Sequence, residues 1–163
     1  MLARSGFEVL GVDPSEQMIA RAKEQDIEGL RVQFRIGDEG VLTPDSYDAI
    51  VCSSVIEYVR EPDKLLQVFR ASLRGAGILI ISYSNNRSPC RSETSFTDYK
   101  NPFADPHHRG WSWRDFRRLM ERNGFRCIAG PKFFDFHWRI DRFVSWLPLG
   151  ILGIVAANKR DAP

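Results

Sequence analysis

Aspartates 13 and 38 each follow a short strand-like run and precede a turn. Asp13 closes Glu8 to Val12 (EVLGV) and leads into Pro14-Ser15, while Asp38 follows Arg31 to Ile36 (RVQFRI) within Gly37-Asp38-Glu39. At the carboxyl end of a strand, a carboxylate can accept two hydrogen bonds from ribose hydroxyls. One after the next strand can accept a hydrogen bond from an adenine amino group. The plain alternatives are a helix-start residue at 13 that satisfies backbone donors and a turn aspartate at 38. Two such carboxylates after consecutive strands carry more information than either alone. His107 and His108 stand in the irregular stretch Tyr83 to Gly110, which holds Asn85, Asn86 and three prolines. A neutral imidazole there can take a proton from a hydroxyl; the alternative is a solvated or helix-entry pair.

The elements that must position these residues can be read from periodicity. EVLGV is a short buried strand, and Ser15 caps a helix to about Gln25 with Met18, Ile19 and Ala22 on its apolar stripe. RVQFRI alternates as a strand does. Asp48 to Ser53 (DAIVCS) is a third strand, mostly apolar and expected to be buried on both faces. Glu61-Pro62-Asp63 opens a helix. Leu65, Leu66, Phe69 and Leu73 share one face of it, and Gly75 is the expected stop. Gly77 to Ser82 is a fourth strand. Ser112 caps a helix with Asp115 as its reciprocal partner; Phe116, Leu119 and Met120 face inward and Gly124 closes it. Phe125 to Phe134 and Ile151 to Asn158 are the last strands, with a helical, aromatic-rich stretch, Phe136 to Leu147, between them. Strands alternating with helices give a mainly parallel α/β sheet, with an antiparallel C-terminal edge strand. Ligands in such sheets sit outside the carboxyl ends of the strands.

Composition narrows the function. The chain has 163 residues, 43% hydrophobic and 27% charged, which is the balance of a folded globular protein. Its net charge of +2 gives no argument for a nucleic-acid partner. The cysteines, Cys52, Cys90 and Cys127, lack metal-type spacing, so neither a zinc site nor a disulfide scaffold is expected, and a reducing cytoplasm is the simplest compartment. Phe143 to Ala157 is uncharged, but it is shorter than the roughly 18 apolar residues of a span. It reads as a buried helix end and strand, with a lipid-touching surface as the minority alternative.

The run Leu2-Ala3-Arg4-Ser5-Gly6-Phe7-Glu8-Val9-Leu10-Gly11-Val12-Asp13-Pro14-Ser15-Glu16-Gln17-Met18 resembles the second strand–helix unit of class I S-adenosylmethionine-dependent methyltransferases. Gly37-Asp38-Glu39, Tyr47 to Val59, Leu73 to Ser82 and His107 to Phe125 continue the resemblance in order over nearly the whole chain. It implies a Rossmann-like fold that uses S-adenosylmethionine, with Asp13 on the ribose, Asp38 on the adenine, Glu39 giving a backbone contact and Ser53 beside the methionine portion. The family's first strand and its glycine-rich loop are missing from these residues. That strand is central in the family sheet, so residues 1–163 are expected to be a single, N-terminally incomplete domain, truncated rather than decayed.

The implied reaction is methyl transfer to a small-molecule acceptor, such as a hydroxyl of a sugar, quinone or lipid-linked compound. The sulfonium carbon is already activated, so alignment supplies most of the catalysis. His107 or His108 is the expected base. Tyr58 stands where many relatives carry histidine and is expected to shape the substrate pocket, or else to be a half-buried core tyrosine. The rivals are a non-catalytic or degenerate binding module and, fitting less well, a nicotinamide-dependent oxidoreductase fragment. Cofactor binding separates them.

Overall fold

The computed structural model describes residues 2–25, 27–88, 109–134 and 152–159. Strand β1 (Val9–Asp13) ends where Pro14 withdraws the next amide from the ladder. Ser15 is extended, and its Oγ accepts the Met18 N–H, which starts helix α1 (Glu16–Lys23) as its residue type dictates. Strand β2 (Val32–Ile36) runs parallel to β1, with Val9 opposite Val32 and Asp13 opposite Ile36. Gly11 is needed for this pairing, because a Cβ there would stand 2.7 Å from Phe34 Cδ1. These elements form the first of two compact units, Met1–Thr43. Ile19 is buried in it, whereas Leu2, Phe7, Met18 and Ile36 are exposed.

The second unit, Pro44–Pro163, holds a four-stranded sheet. Strand β3 (Tyr47–Cys52) runs parallel to β4 (Leu73–Ser84), with a short 3-10 turn, Ile56–Tyr58, and helix α2 (Pro62–Ser72) between them. Pro62 sits in the first turn of α2, and Leu65, Leu66, Phe69 and Leu73 are buried as their spacing requires. Gly75 does not stop this helix. The backbone becomes extended at Leu73, so α2 runs straight into β4 and Gly75 lies inside the strand. Leu73 wins because its side chain, fully buried, carries the apolar stripe of the helix into the sheet.

Helix α3 (Trp113–Arg122) begins at Ser112, whose Oγ accepts the Asp115 N–H at 3.2 Å and donates to Asp115 Oδ2 at 2.6 Å. Gly124 ends it with φ +79°, and a Cβ there would lie 2.5 Å from Arg70 Nε. Strand β5 (Phe125–Phe134) follows, and β6 (Leu152–Lys159) enters antiparallel between β4 and the edge strand β5, giving the order β3-β4-β6-β5. The parallel pairings β1–β2 and β3–β4, the flanking helices and the antiparallel C-terminal addition are those of the expected Rossmann-like α/β class. The aromatic stretch Phe136 to Leu147 lies outside the described residues.

One face of the sheet carries the core. Ile50, Cys52, Leu79, Ile81, Val155 and Ala157 are buried there, and α2 and α3 contribute Leu65, Leu66, Phe69, Phe116, Leu119 and Met120. Each such side chain contributes about 1.5–3 kcal/mol. β3 is not buried on both faces as expected: Val51 is 52% exposed, and Ile78, Ile80 and Ile154 are exposed on the same side of the sheet. Alternation along a strand sends neighbouring side chains to opposite faces, and within this unit the described helices cover one of them. Among the described residues, one edge of β1 and one edge of β3 have no partner strand.

Candidate functional site

In the first unit, the parallel pairing brings the two aspartates to one end of one small sheet. Asp13 is the last residue of β1, and its backbone carbonyl accepts the Gly37 N–H at 3.1 Å, which draws the start of Gly37-Asp38 to the end of β1. Gly37 has φ +152°, and a Cβ there would stand 2.6 Å from Val41 Cγ1, so this turn requires glycine. Asp13 is half-buried, and its Oδ1 accepts the Ser15 N–H at 2.8 Å. That bond fixes the carboxylate and leaves Oδ2 outside it. Asp38 is exposed; its Oδ1 accepts the Gly40 N–H at 2.9 Å and caps the 3-10 turn Glu39–Val41, with Glu39 half-buried behind it. Two oriented acceptors at the carboxyl ends of neighbouring parallel strands match a ligand that presents hydroxyl and amino donors, as a ribose and an adenine do.

In the second unit, the chain leaves β3 through Ser53 and Ser54, both exposed. Ser54 takes φ +53°, unusual for a side-chain-bearing residue, and its N–H donates to Ser82 Oγ at 2.7 Å. This bond ties the end of β3 to β4 and aims the turn Ile56–Tyr58. Ile56 and Glu57 point inward, fully buried and 2% exposed, while Val55 and Tyr58 point outward at 45% and 42%. Tyr58 is therefore no core residue but stands on the open side of the turn. His107 and His108 lie outside the described residues.

The buried polar side chains Glu57, Ser82, Ser84, Asn85, Ser88 and Ser112 belong to this end of the unit. Residues 109–111 stitch it together. The Arg109 N–H donates to the Glu57 carbonyl at 2.7 Å and the Trp111 N–H to the Ser84 carbonyl at 2.9 Å, while the Asn86 N–H returns to the Trp111 carbonyl at 3.1 Å. Glu57 is the residue the sequence reading passed over. Its Oε2 is buried without a hydrogen-bond partner, and burial raises its carboxyl above the ordinary range. Burial, and then the charge of Glu57, push the Cys52 thiol up to about 12, so Cys52 stays a thiol and is no nucleophile at neutral pH. The available sign was an acidic residue inside the apolar string Val55-Ile56-Glu57-Tyr58-Val59, but a single turn has no periodicity to give it a face. Among the described residues no group of three or more His, Cys, Asp or Glu could hold a metal ion, and no helix is long and apolar enough to cross a membrane.

The family described as methyltransferase domain matches residues 1–129. A ubiquinone biosynthesis O-methyltransferase of Aeromonas salmonicida is 30% identical over 92 residues, 54% of this chain and 38% of that protein. The match thus spans well under half the length of this curated relative. Among solved structures, an S-adenosylmethionine-dependent methyltransferase from Thermotoga maritima superposes with TM-score 0.70 at 20% identity, covering 97% of this chain and 76% of the other. Magnesium protoporphyrin IX methyltransferase from Synechocystis, with bound S-adenosylhomocysteine, gives TM-score 0.67 at 21% identity over 97% and 67% of the two chains.

Proposed function

Because the chain belongs to the class I S-adenosylmethionine-dependent methyltransferases, we propose that it transfers the methyl group of S-adenosylmethionine to a hydroxyl of a small-molecule acceptor, in the cytoplasm. The observation that carries this reading is the pair Asp13 and Asp38, brought to adjoining strand ends through the Gly37–Asp13 bond. Asp13 Oδ2 takes a ribose hydroxyl and Asp38 the adenine amino group, with the Glu39 backbone beside them. Ser53 serves the methionine portion. The O-methyltransferase relative supports oxygen as the accepting atom, and a sugar, quinone or lipid-linked hydroxyl compound fits that chemistry. Tyr58, exposed at the end of β3, is a wall for the acceptor. His107 and His108 are the candidates that the sequence offers for removing the hydroxyl proton. When bound, S-adenosylmethionine supplies a methyl carbon activated by the sulfonium; the residues of this chain bind, align and exclude water.

Calorimetry with S-adenosylmethionine tests the reading. Asp13→Asn keeps an oxygen for the Ser15 N–H but replaces the second acceptor with a donor. Hydrogen bonds to a charged group are worth about 1.5–3 kcal/mol, so affinity should fall at least about tenfold. Unchanged affinity in both Asp13→Asn and Asp38→Ala overturns the assignment. Absence of binding by the wild type favours a non-catalytic module.

A further inference from the structure

We propose that Glu57, rather than His107 or His108, takes the proton of the methyl acceptor, and that its Oε2 is the seat for the acceptor's O–H. The inference rests on the methyl-transfer reading above and names a residue for it. A buried carboxylate oxygen with no donor is costly, about 1–3 kcal/mol or more when charged, so its place in the fold calls for an explanation. The backbone carbonyl of Glu57, not its side chain, holds the Arg109 N–H.

The location suits the role. The turn Ile56–Tyr58 follows β3 at its carboxyl end, where ligands of such sheets bind. Val55 and Tyr58, on either side of Ile56 and Glu57 in the chain, are exposed, so an aromatic or aliphatic body resting on those two would direct its hydroxyl toward the buried Oε2. The strained Ser54 and its bond to Ser82 hold the turn in this attitude. Burial outweighs a backbone hydrogen bond that lowers it, and among the described residues no ion pair holds the carboxyl down, so it shifts toward the pH at which a base works best. The titratable group coupled to it is the Cys52 thiol on β3, which stays neutral. Arg109 meets the turn through its main chain.

The step balances without a further reagent. The acceptor's O–H proton moves to Oε2, and the oxygen's electron pair forms the new O–C bond to the methyl carbon. The pair of the broken S–C bond stays on sulfur. The positive charge of the sulfonium and the negative charge of the carboxylate disappear together.

The experiment uses the chain labelled with [13C]glutamate, with the resonance of residue 57 assigned through its loss in Glu57→Gln. Phenol is the probe, and its methyl ether, anisole, which has the ring but no donor, is the control. An O–H donated to the ionised carboxylate stabilises that form, so phenol should lower the titration midpoint of Glu57 by about one pH unit, while anisole should leave it. No movement with phenol, or equal movement with anisole, overturns the proposal. In methyl transfer from S-adenosylmethionine to phenol, Glu57→Gln should cost about 10²–10⁴-fold in turnover and remove the acidic limb of the pH profile. Full turnover by Glu57→Gln, or an acidic limb that survives in it, also overturns it. If the midpoint moves but the wild type transfers no methyl group to any hydroxyl compound, the methyl-transfer reading fails and the Glu57 hydroxyl site stands.

Discussion

The ring of Tyr83 on β4 lies against the backbone of Gly153 on β6: a Cβ at 153 would stand 2.5 Å from Cε1 and Cζ and 2.7 Å from Oη. The two residues face each other in the antiparallel register, and the ring also stacks on Phe116 of α3 at 4.1 Å. Gly153→Ala should therefore destabilise the protein by about 1–3 kcal/mol through overpacking, read as a lower urea midpoint with unchanged slope. The phenol hydroxyl itself is buried without a partner. Tyr83→Phe should be neutral or stabilising by about 1 kcal/mol, and a clear loss of stability would show that the hydroxyl has found a donor or acceptor.

Helix α3 depends on Ser112 at its start, where hydroxyl and Asp115 carboxylate serve each other. Ser112→Ala should cost about 1 kcal/mol, and Ser112→Asp much less, because a carboxylate can also cap and favours the positive end of the helix. Thermal melts of the two variants check the order.

Asp63 joins the first turn of α2 to the end of α3. Its carboxylate accepts from Arg122 Nε at 2.7 Å, from Arg122 Nη2 at 2.6 Å and from Asn123 Nδ2 at 2.8 Å. The bonds from Arg122 come first in holding its pKa below the ordinary aspartate value. A depressed carboxyl stabilises the fold above the unfolded pKa of about 3.9, and that share is lost as pH falls through the folded value. Both side chains are substantially exposed, so screening limits the pair to about 0.2–1 kcal/mol. Asp63→Asn should lose that share at neutral pH and converge with the wild type in acid, which flattens the stability curve below about pH 4.

Glu57 has the opposite sign. Its raised carboxyl binds a proton more tightly in the folded protein, so its contribution is full below the unfolded pKa of about 4.3 and is lost as pH rises through the folded value. Glu57→Gln should be more stable than the wild type on the alkaline side and should converge with it in acid. A parallel pair of stability curves would mean that the carboxyl is ordinary.

Much of this arrangement was legible because it is written in local chemistry. Ser15 and Ser112 announce their helices by residue type, and the bounds of β5 follow from Gly124 and the alternation after it. Asp13 and Asp38 stand at the strand ends where the sequence puts them, because strand and turn signals are local. The failures lie where a remote partner decides. Gly75 looked like a helix stop, but the sheet claimed Leu73 first. DAIVCS looked buried on both sides, yet an apolar run does not say what covers its second face. Glu57 went unseen because burial of an acid in one short turn follows from packing that involves β4 and residues 109–111, which are remote from it in the chain.

The direct passage from α2 into β4 has a consequence for how the chain can vary. Ser72 ends the helix and Leu73 begins the strand, with no residue between them to absorb a change of length. One residue added or removed here would turn the helix by about 100° relative to the sheet, and it would send Leu79 and Ile81 to the face now held by Ile78 and Ile80. No turn can take up the slip, so the whole core of this unit would have to be rebuilt at once. Insertions and deletions are thus barred at this junction, and length variation is confined to connections such as the turns around Asp45 and Gly29, where exposed residues already hold positive φ.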